Sequence, residues 1–238
     1  MRNTMAIAWR ETRAYFASPI AYVVAGVFVA LTGYFFVDAM SSSVFPEASV
    51  DSYIGRSTLI LTLVAPLLTM RLLSEEQNRG TIELLLTAPV RDWEVVLGKF
   101  ISSLAVFLVA VALTLFYVVL LFWFGNPDPG PILTSYLGLL LFGGSALAVG
   151  LFTSSLTNSQ IVAAVAAYGI LALLTVTQLA ASHVGGVIAT VLQQASLTVH
   201  FDDFSRGILN TNNVVYYVTF TMVFLFLTAQ SLEIRRWK

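Results

Sequence analysis

From Pro129 to Phe201 the chain carries no Asp, Glu, Lys or Arg. A soluble domain uses charge at about one residue in four, so a run of this length cannot be dressed for water. The rest of the sequence leans the same way: 58% of its 238 residues are hydrophobic, 11% are charged, and the mean hydropathy is +0.84. These values predict a chain whose solvent is a bilayer. With a net charge of -1 and no basic stripe, it has no electrostatic footprint for nucleic acid. The absence of cysteine excludes disulfides, thiolate metal sites and cysteine nucleophiles.

A membrane-spanning helix needs about twenty mostly apolar residues. Six segments qualify: Pro19 to Val37, Ile54 to Leu73, Phe100 to Phe124, Ile132 to Ser154, Gln160 to Ala181, and Val214 to Ser231. The charge-free run is too long for one helix and divides at the polar Ser154, Thr157, Asn158 and Ser159. The expected fold is all-α, one polytopic membrane domain over residues 1–238. No internal repeat or low-complexity linker divides it.

Basic residues set the orientation. With both termini in the cytoplasm, ten of the 12 basic residues lie inside, leaving only Arg56 and Arg206 outside. This bias predicts a multi-pass membrane protein with both termini and the 71–99 stretch on the cytoplasmic side. Residues 1–18 lack the compact apolar core of a cleavable signal and read as an interfacial helix. At 100° per residue Met5, Ala8, Trp9, Thr12, Tyr15 and Phe16 share one side, with Arg2, Arg10 and Arg13 adjoining. Trp9 and Phe16 are then expected at headgroup depth, with Arg10 and Arg13 reaching anionic lipid. A frayed tail before the first span is the competing reading.

Against so little charge elsewhere, the stretch from Arg71 to Lys99 is unusual. Arg71, Glu75, Glu76, Arg79, Glu83, Arg91, Asp92, Glu94 and Lys99 hold more than a third of the chain's 12 basic and 13 acidic residues. The orientation makes this region, residues 74–98, cytoplasmic. Ser74 and Gln77 have capping-box spacing, although the second span could equally continue through them. Gly80 then breaks the chain, Thr81 can cap a short helix through Ile82, Glu83, Leu84, Leu85 and Leu86, and Pro89 ends it. Asp92 can cap the helix that enters the third span. So short a helix is unstable alone and too apolar for water. Either a partner covers it, or it packs on the protein's own helix ends and the headgroup layer.

The residues RLLSEEQNRGTIELLLTAPVRDWEVVLGKF closely resemble the cytoplasmic segment of ABC type-2 permeases, in the branch of the gliding-motility and nitrous-oxide-reductase maturation permeases. The similarity rests on Glu75-Glu76, Arg79-Gly80-Thr81, Glu83 with its leucines, Pro89, and Trp93 through Gly98-Lys99. It continues in His200, Phe201, Phe204, Arg206-Gly207, Tyr216-Tyr217, Leu232-Glu233 and Arg235-Arg236-Trp237. The resemblance implies a permease that does no chemistry. Its short helix would be a coupling helix seated on a separate ABC ATPase subunit, and that partner would hold ATP and Mg. Thr81 to Leu86 would then supply the contact, Glu83 a charged anchor, and Arg79 and Gly80 the hinge. It also implies a second permease copy, with the pathway between the two, and an additional membrane-anchored extracytoplasmic subunit.

Independent observations agree with a separate energy source. Gly98-Lys99-Phe100 lacks the earlier glycine and the hydroxyl of a phosphate-cradling loop, so the chain has no ATP site of that kind. Its spans are also nearly bare of the ionisable groups that ion-driven carriers keep inside the membrane. Asp38, Arg56 and Arg71 stand at span ends, and His183 and His200 read as structural histidines. Most charges of the 71–99 stretch read as solvated support.

Residues 182–213 cannot span while both flanks remain outside, and they predict a re-entrant or interfacial hairpin packed on the bundle. Two other function classes can be stated. Gly143-Gly144-Ser145-Ala146 with His183 faintly resembles an intramembrane serine protease, but Gly138, Gly143, Gly144, Ser145, Ala148 and Gly150 read better as a close-packing surface. A membrane anchor of an ATPase complex that transports nothing would share the same cytoplasmic contact.

Overall fold

The computed structural model describes residues 2–42, 51–81, 90–183 and 186–236. Within them every regular element is a helix: α1 (Arg2–Ala17), α2 (Pro19–Ser42), α3 (Asp51–Thr69), α4 (Ser74–Asn78), α5 (Asp92–Phe124), α6 (Pro129–Leu156), α7 (Gln160–His183), α8 (Val187–Ala195), α9 (Leu197–Ser205) and α10 (Thr211–Arg236). Six helical stretches are long and apolar enough to cross a membrane, matching the six segments expected from the sequence.

Their boundaries differ in instructive ways. The third span begins at Asp92 rather than Phe100, because the charged turn Asp92–Lys99 is itself helical. Asp92 is not its cap. Arg91 takes that position, and the Glu94 carboxylate reaches back to accept the Arg91 N–H at 3.2 Å. The fourth span begins at Pro129, where Asp128 accepts the Gly130 N–H at 3.0 Å and proline occupies the position that needs no donor. The second span stops as a regular helix at Thr69 and restarts as α4.

The centre of the bundle is α6. It packs on α3, α5, α7, α9 and α10, and it is buried without interruption from Gly143 to Leu151. Small residues make this possible: a Cβ on Gly143 would collide with the Phe107 ring, one on Gly138 with Phe204, and one on Gly150 with Thr69. Ser145, wholly buried, bonds to the Tyr217 carbonyl at 3.3 Å and the Thr221 hydroxyl at 3.1 Å, so it ties α6 to α10. The remaining long helices each keep an exposed apolar flank, with Val23 on α2, Phe116 on α5, Ile161 on α7 and Met222 on α10.

The long helices run between two ends. At one end lie α1, α4, the start of α5 and the α6–α7 turn. At the other, α8 and α9 form a short helical pair over α6, where Tyr216 donates to the Ala195 carbonyl and Tyr217 to that of Leu197. His200 stacks flat on Tyr216 with ring centroids 3.8 Å apart, and its Nδ1 lies 2.9 Å from the Ser196 carbonyl, a packing role.

Candidate functional site

The break between α3 and α4 falls on Met70-Arg71-Leu72-Leu73, with no glycine or proline in it. Such residues favour helix, so the interruption has to be imposed from outside. Three carbonyls and two N–H groups show how. Tyr15 of α1 donates to the Leu68 carbonyl at 2.6 Å. The Ser154 hydroxyl of α6 donates to the Met70 carbonyl at 2.9 Å while accepting the N–H groups of Leu73 and Ser74, each at 3.0 Å. Lys99 of α5 donates to the Leu72 carbonyl at 2.7 Å. Ser74 turns its own hydroxyl back to Met70, and Gln77 donates to the Ser155 carbonyl at 2.9 Å, so the expected Ser74–Gln77 capping box does not form.

Lys99 is the focus of this site. Its side chain is 1% exposed, yet its ammonium contacts Glu76 at 2.8 Å and Glu11 at 3.7 Å as well as Leu72. A buried ammonium is tolerable only when its donors are used and its charge is opposed, and here both conditions are met. Glu11 also holds Arg10 at 2.8 Å, a bond that raises the guanidinium's pKa against the opposing effect of burial. Arg71 lies over the Tyr15 ring at 4.6 Å and bonds Ser18 at 3.1 Å. Burial pushes the Tyr15 phenol well above its usual range, outweighing the nearby Arg71, so it remains a donor. Between these groups lies a half-open cleft of about 410 Å³, lined by Glu11, Tyr15, Arg71, Glu75, Glu76, Arg79, Thr81 and Lys99.

The cleft is at the root of the insert. Arg79 pairs with Glu75 at 2.6 Å one turn back, Gly80 adopts φ +68°, and the Thr81 hydroxyl donates to the Glu76 carbonyl at 3.3 Å. The positive φ at Gly80 explains why glycine stands there: the helix ends by a left-handed step that a side chain would strain. Ile82, Glu83, Leu84, Leu85, Leu86 and Pro89 lie outside the described residues.

Helix α1 is present, but its faces are divided differently from the sequence expectation. Ala8 and Tyr15 are buried, because α1 lies on α5 where Gly98 admits Ile7 and the Thr4 backbone. Met5, Trp9 and Phe16 stay exposed, with Arg13 over the Trp9 ring at 4.8 Å and Arg10 within 3.8 Å of Glu76. The apolar side read from the sequence is therefore split between a protein contact and an open aromatic edge.

Within the 71–99 stretch Lys99 and Glu76 are exceptions to the expectation that most of its charges are solvated support, and Glu11 joins them from α1. A signal for Lys99 exists in its spacing. It falls on the stripe of Val95, Val96, Ser102, Ser103 and Val106, all buried, so the helical period carries it inward. Ser154 has no comparable signal, since a serine at a helix end reads as punctuation.

Comparison with known proteins places these features in a family. The model of the ABC-2 family transporter proteins matches residues 5–237. The probable multidrug ABC transporter permease YbhS of Escherichia coli (strain K12) is 31% identical over 131 residues, which are 54% of this chain and 34% of that protein. The probable multidrug ABC transporter permease YbhR of the same strain is 26% identical over 102 residues, 43% of this chain and 27% of that protein. The aligned region thus spans about a third of the length of these curated relatives or less. The family match, which takes in all six apolar helices as well as the Lys99 cluster, shows that this multi-pass membrane chain belongs to the ABC-2 family of transporter proteins.

Proposed function

We propose that the chain is the membrane-spanning permease subunit of an ATP-driven complex, in which a separate ABC ATPase binds ATP and Mg and this chain converts its motion into movement of a substrate. The charged end faces the cytoplasm, as the basic residues argue. Arg79, Gly80 and Thr81 lead into a coupling segment, Ile82 to Leu86 bounded by Pro89, that rests on the ATPase. Trp9, Arg10, Arg13 and Phe16 hold α1 at the lipid interface. A second permease copy completes the pathway, and a membrane-anchored extracytoplasmic subunit joins it.

The observation that carries this reading is the buried ammonium of Lys99 at the root of the insert. It joins α1 through Glu11, α4 through Glu76, and the end of α3 through Leu72. A push on the insert is thereby delivered to three helices at once rather than to a loose loop. The relatives' names as multidrug transporter permeases favour an exporter.

The direct test is to purify the complex with its native ATPase and compare wild type with Glu83→Lys. Reversing that charge is expected to weaken association and to abolish the permease's effect on ATP hydrolysis. Unchanged association and coupling would remove Glu83 from the contact.

A further inference from the structure

A regular helix would join the Ser74 N–H to the Met70 carbonyl four residues earlier. Here one oxygen stands between them: Ser154 Oγ accepts the first at 3.0 Å and donates to the second at 2.9 Å, while also accepting the Leu73 N–H. Side chains inserted into a helix ladder are an established cause of kinks. This one arrives from another helix, is wholly buried, and leaves its hydroxyl with a full set of partners.

We propose that Ser154 is a positioning residue that opens the second span and hands α4 over from α3 to α6. The proposal rests on the permease reading for its functional consequence, but its geometry stands alone. Because the inserted hydroxyl has replaced the 74-to-70 ladder bond, α4 is joined to the preceding turn by the Ser74 hydroxyl on the Met70 carbonyl and the Glu75 N–H on the Arg71 carbonyl at 3.3 Å. It can therefore tilt against α3 without breaking a 74-to-70 backbone bond. On the other side α4 is tied to α6 twice, by Ser154 itself and by Gln77 to the Ser155 carbonyl at 2.9 Å. Displacement at the insert therefore enters the most buried helix of the bundle at its last turn. From there Ser155 and Leu156 pass it to α10, through Ser231 at 3.4 Å and Arg235 at 3.1 Å. Of the three outside groups that reach the break, Tyr15, Lys99 and Ser154, the Ser154 hydroxyl is the one that takes both ends of the missing ladder bond.

The chain has no cysteine, which suits site-specific spin labelling. Labels at Asn78→Cys and Ser159→Cys, both exposed, report the separation of α4 from the end of α6 in the full complex with its ATPase. Wild type should give a narrow distance distribution. Ser154→Ala should broaden it and shift its mean by more than the wild-type width, and should reduce the permease-dependent change in ATP hydrolysis about fivefold, the lower range of ordinary coupling between sites. Ser154→Thr, which keeps the hydroxyl, should restore both. An unchanged distribution in Ser154→Ala overturns the proposal, and equal disturbance by alanine and threonine overturns it too, by assigning the effect to packing. Should Ser154→Ala fail to assemble, Gln77→Ala removes the second tie alone; an unaltered separation there overturns the transfer to α6. If the wild-type permease has no effect on ATP hydrolysis, the permease reading fails, while the distances still decide the role of the hydroxyl.

Discussion

Two interruptions of helix among the described residues, the α3–α4 junction and the α8–α9 turn, satisfy their backbone groups by different chemistry. At the α3–α4 junction the carbonyls of Leu68, Met70 and Leu72 take a phenol, a serine hydroxyl and an ammonium, each from a different helix. At the α8–α9 turn the carbonyls of Ala195 and Leu197 take two phenols, and at the far end of α9 the Phe204 carbonyl takes the hydroxyls of Thr134 and Ser135. Both obey the rule that irregular backbone in an apolar surrounding needs internal partners. The turn does so with neutral groups held by aromatic rings in edge-to-face contact, Phe142, Phe201, Tyr216 and Tyr217 among them. The junction alone uses a buried charge, and the carboxylates around it open onto a cleft. A neutral donor set makes a fixed closure. A charged set beside a cleft can be redistributed when something charged approaches, which suits the end where a driving partner would bind.

The sharpest way to break this contrast is Lys99→Met. Methionine fills a similar volume but takes the close donor from Glu76 and from the Leu72 carbonyl, while Glu11 keeps Arg10. Removing one member of a buried pair costs several kcal/mol, and because the Glu76 side chain keeps 21% exposure we expect about 3 kcal/mol. Denaturant unfolding in a single detergent measures it. In a Glu76→Gln background the same substitution should cost clearly less, since no carboxylate is then stranded beside it. A loss under about 1 kcal/mol in the wild-type background would mean that water reaches the site and that its charge is not truly buried.

Why was the junction illegible in the sequence when the six spans were not? Spans announce themselves by length and apolarity, which are sums over many residues and survive any single exception. The junction depends on single atoms brought from far along the chain: Tyr15 lies 53 residues from Leu68, Lys99 lies 27 from Leu72, and Ser154 lies 84 from Met70. No local pattern encodes such meetings. Lys99 nevertheless carries a local signal, since its register with Val95, Ser102 and Val106 points it inward. Reading the 71–99 stretch by charge density alone discarded that register. Gly80 was legible for the opposite reason, because a left-handed step is a property of one residue.

At the neutral turn, Tyr217→Phe deletes one phenolic oxygen and takes the side-chain donor from the Leu197 carbonyl, which keeps its place in the first turn of α9. The expected cost is about 1 kcal/mol, the ordinary net contribution of one neutral hydrogen bond. The aromatic contacts of residue 217 with Phe142 and Phe204 survive the change, so the loss should remain local. Hydrogen exchange should rise across α8 and α9 while amides of α4 keep their protection. If Tyr217→Phe proved as damaging as Lys99→Met, the distinction drawn between charged and neutral closures would have no energetic content.

The smallest effect on stability is expected where the charge is nearest the cleft mouth. Arg79 pairs with Glu75 at 2.6 Å, but its side chain is 70% exposed. An exposed helical pair of this spacing is worth at most about 0.5 kcal/mol, so Arg79→Ala should scarcely move the unfolding midpoint. The same substitution separates the two kinds of charge at this end. Lys99 holds the fold together, whereas Arg79, immediately before the positive-φ Gly80, has little structural work and is free to meet a partner. Binding of the ATPase should then weaken in Arg79→Ala with stability intact, and the difference from wild type should shrink as salt is raised. Weakened binding that tracks a lost unfolding midpoint would instead make Arg79 another member of the buried cluster, and the boundary between support and contact would have to be moved beyond Thr81.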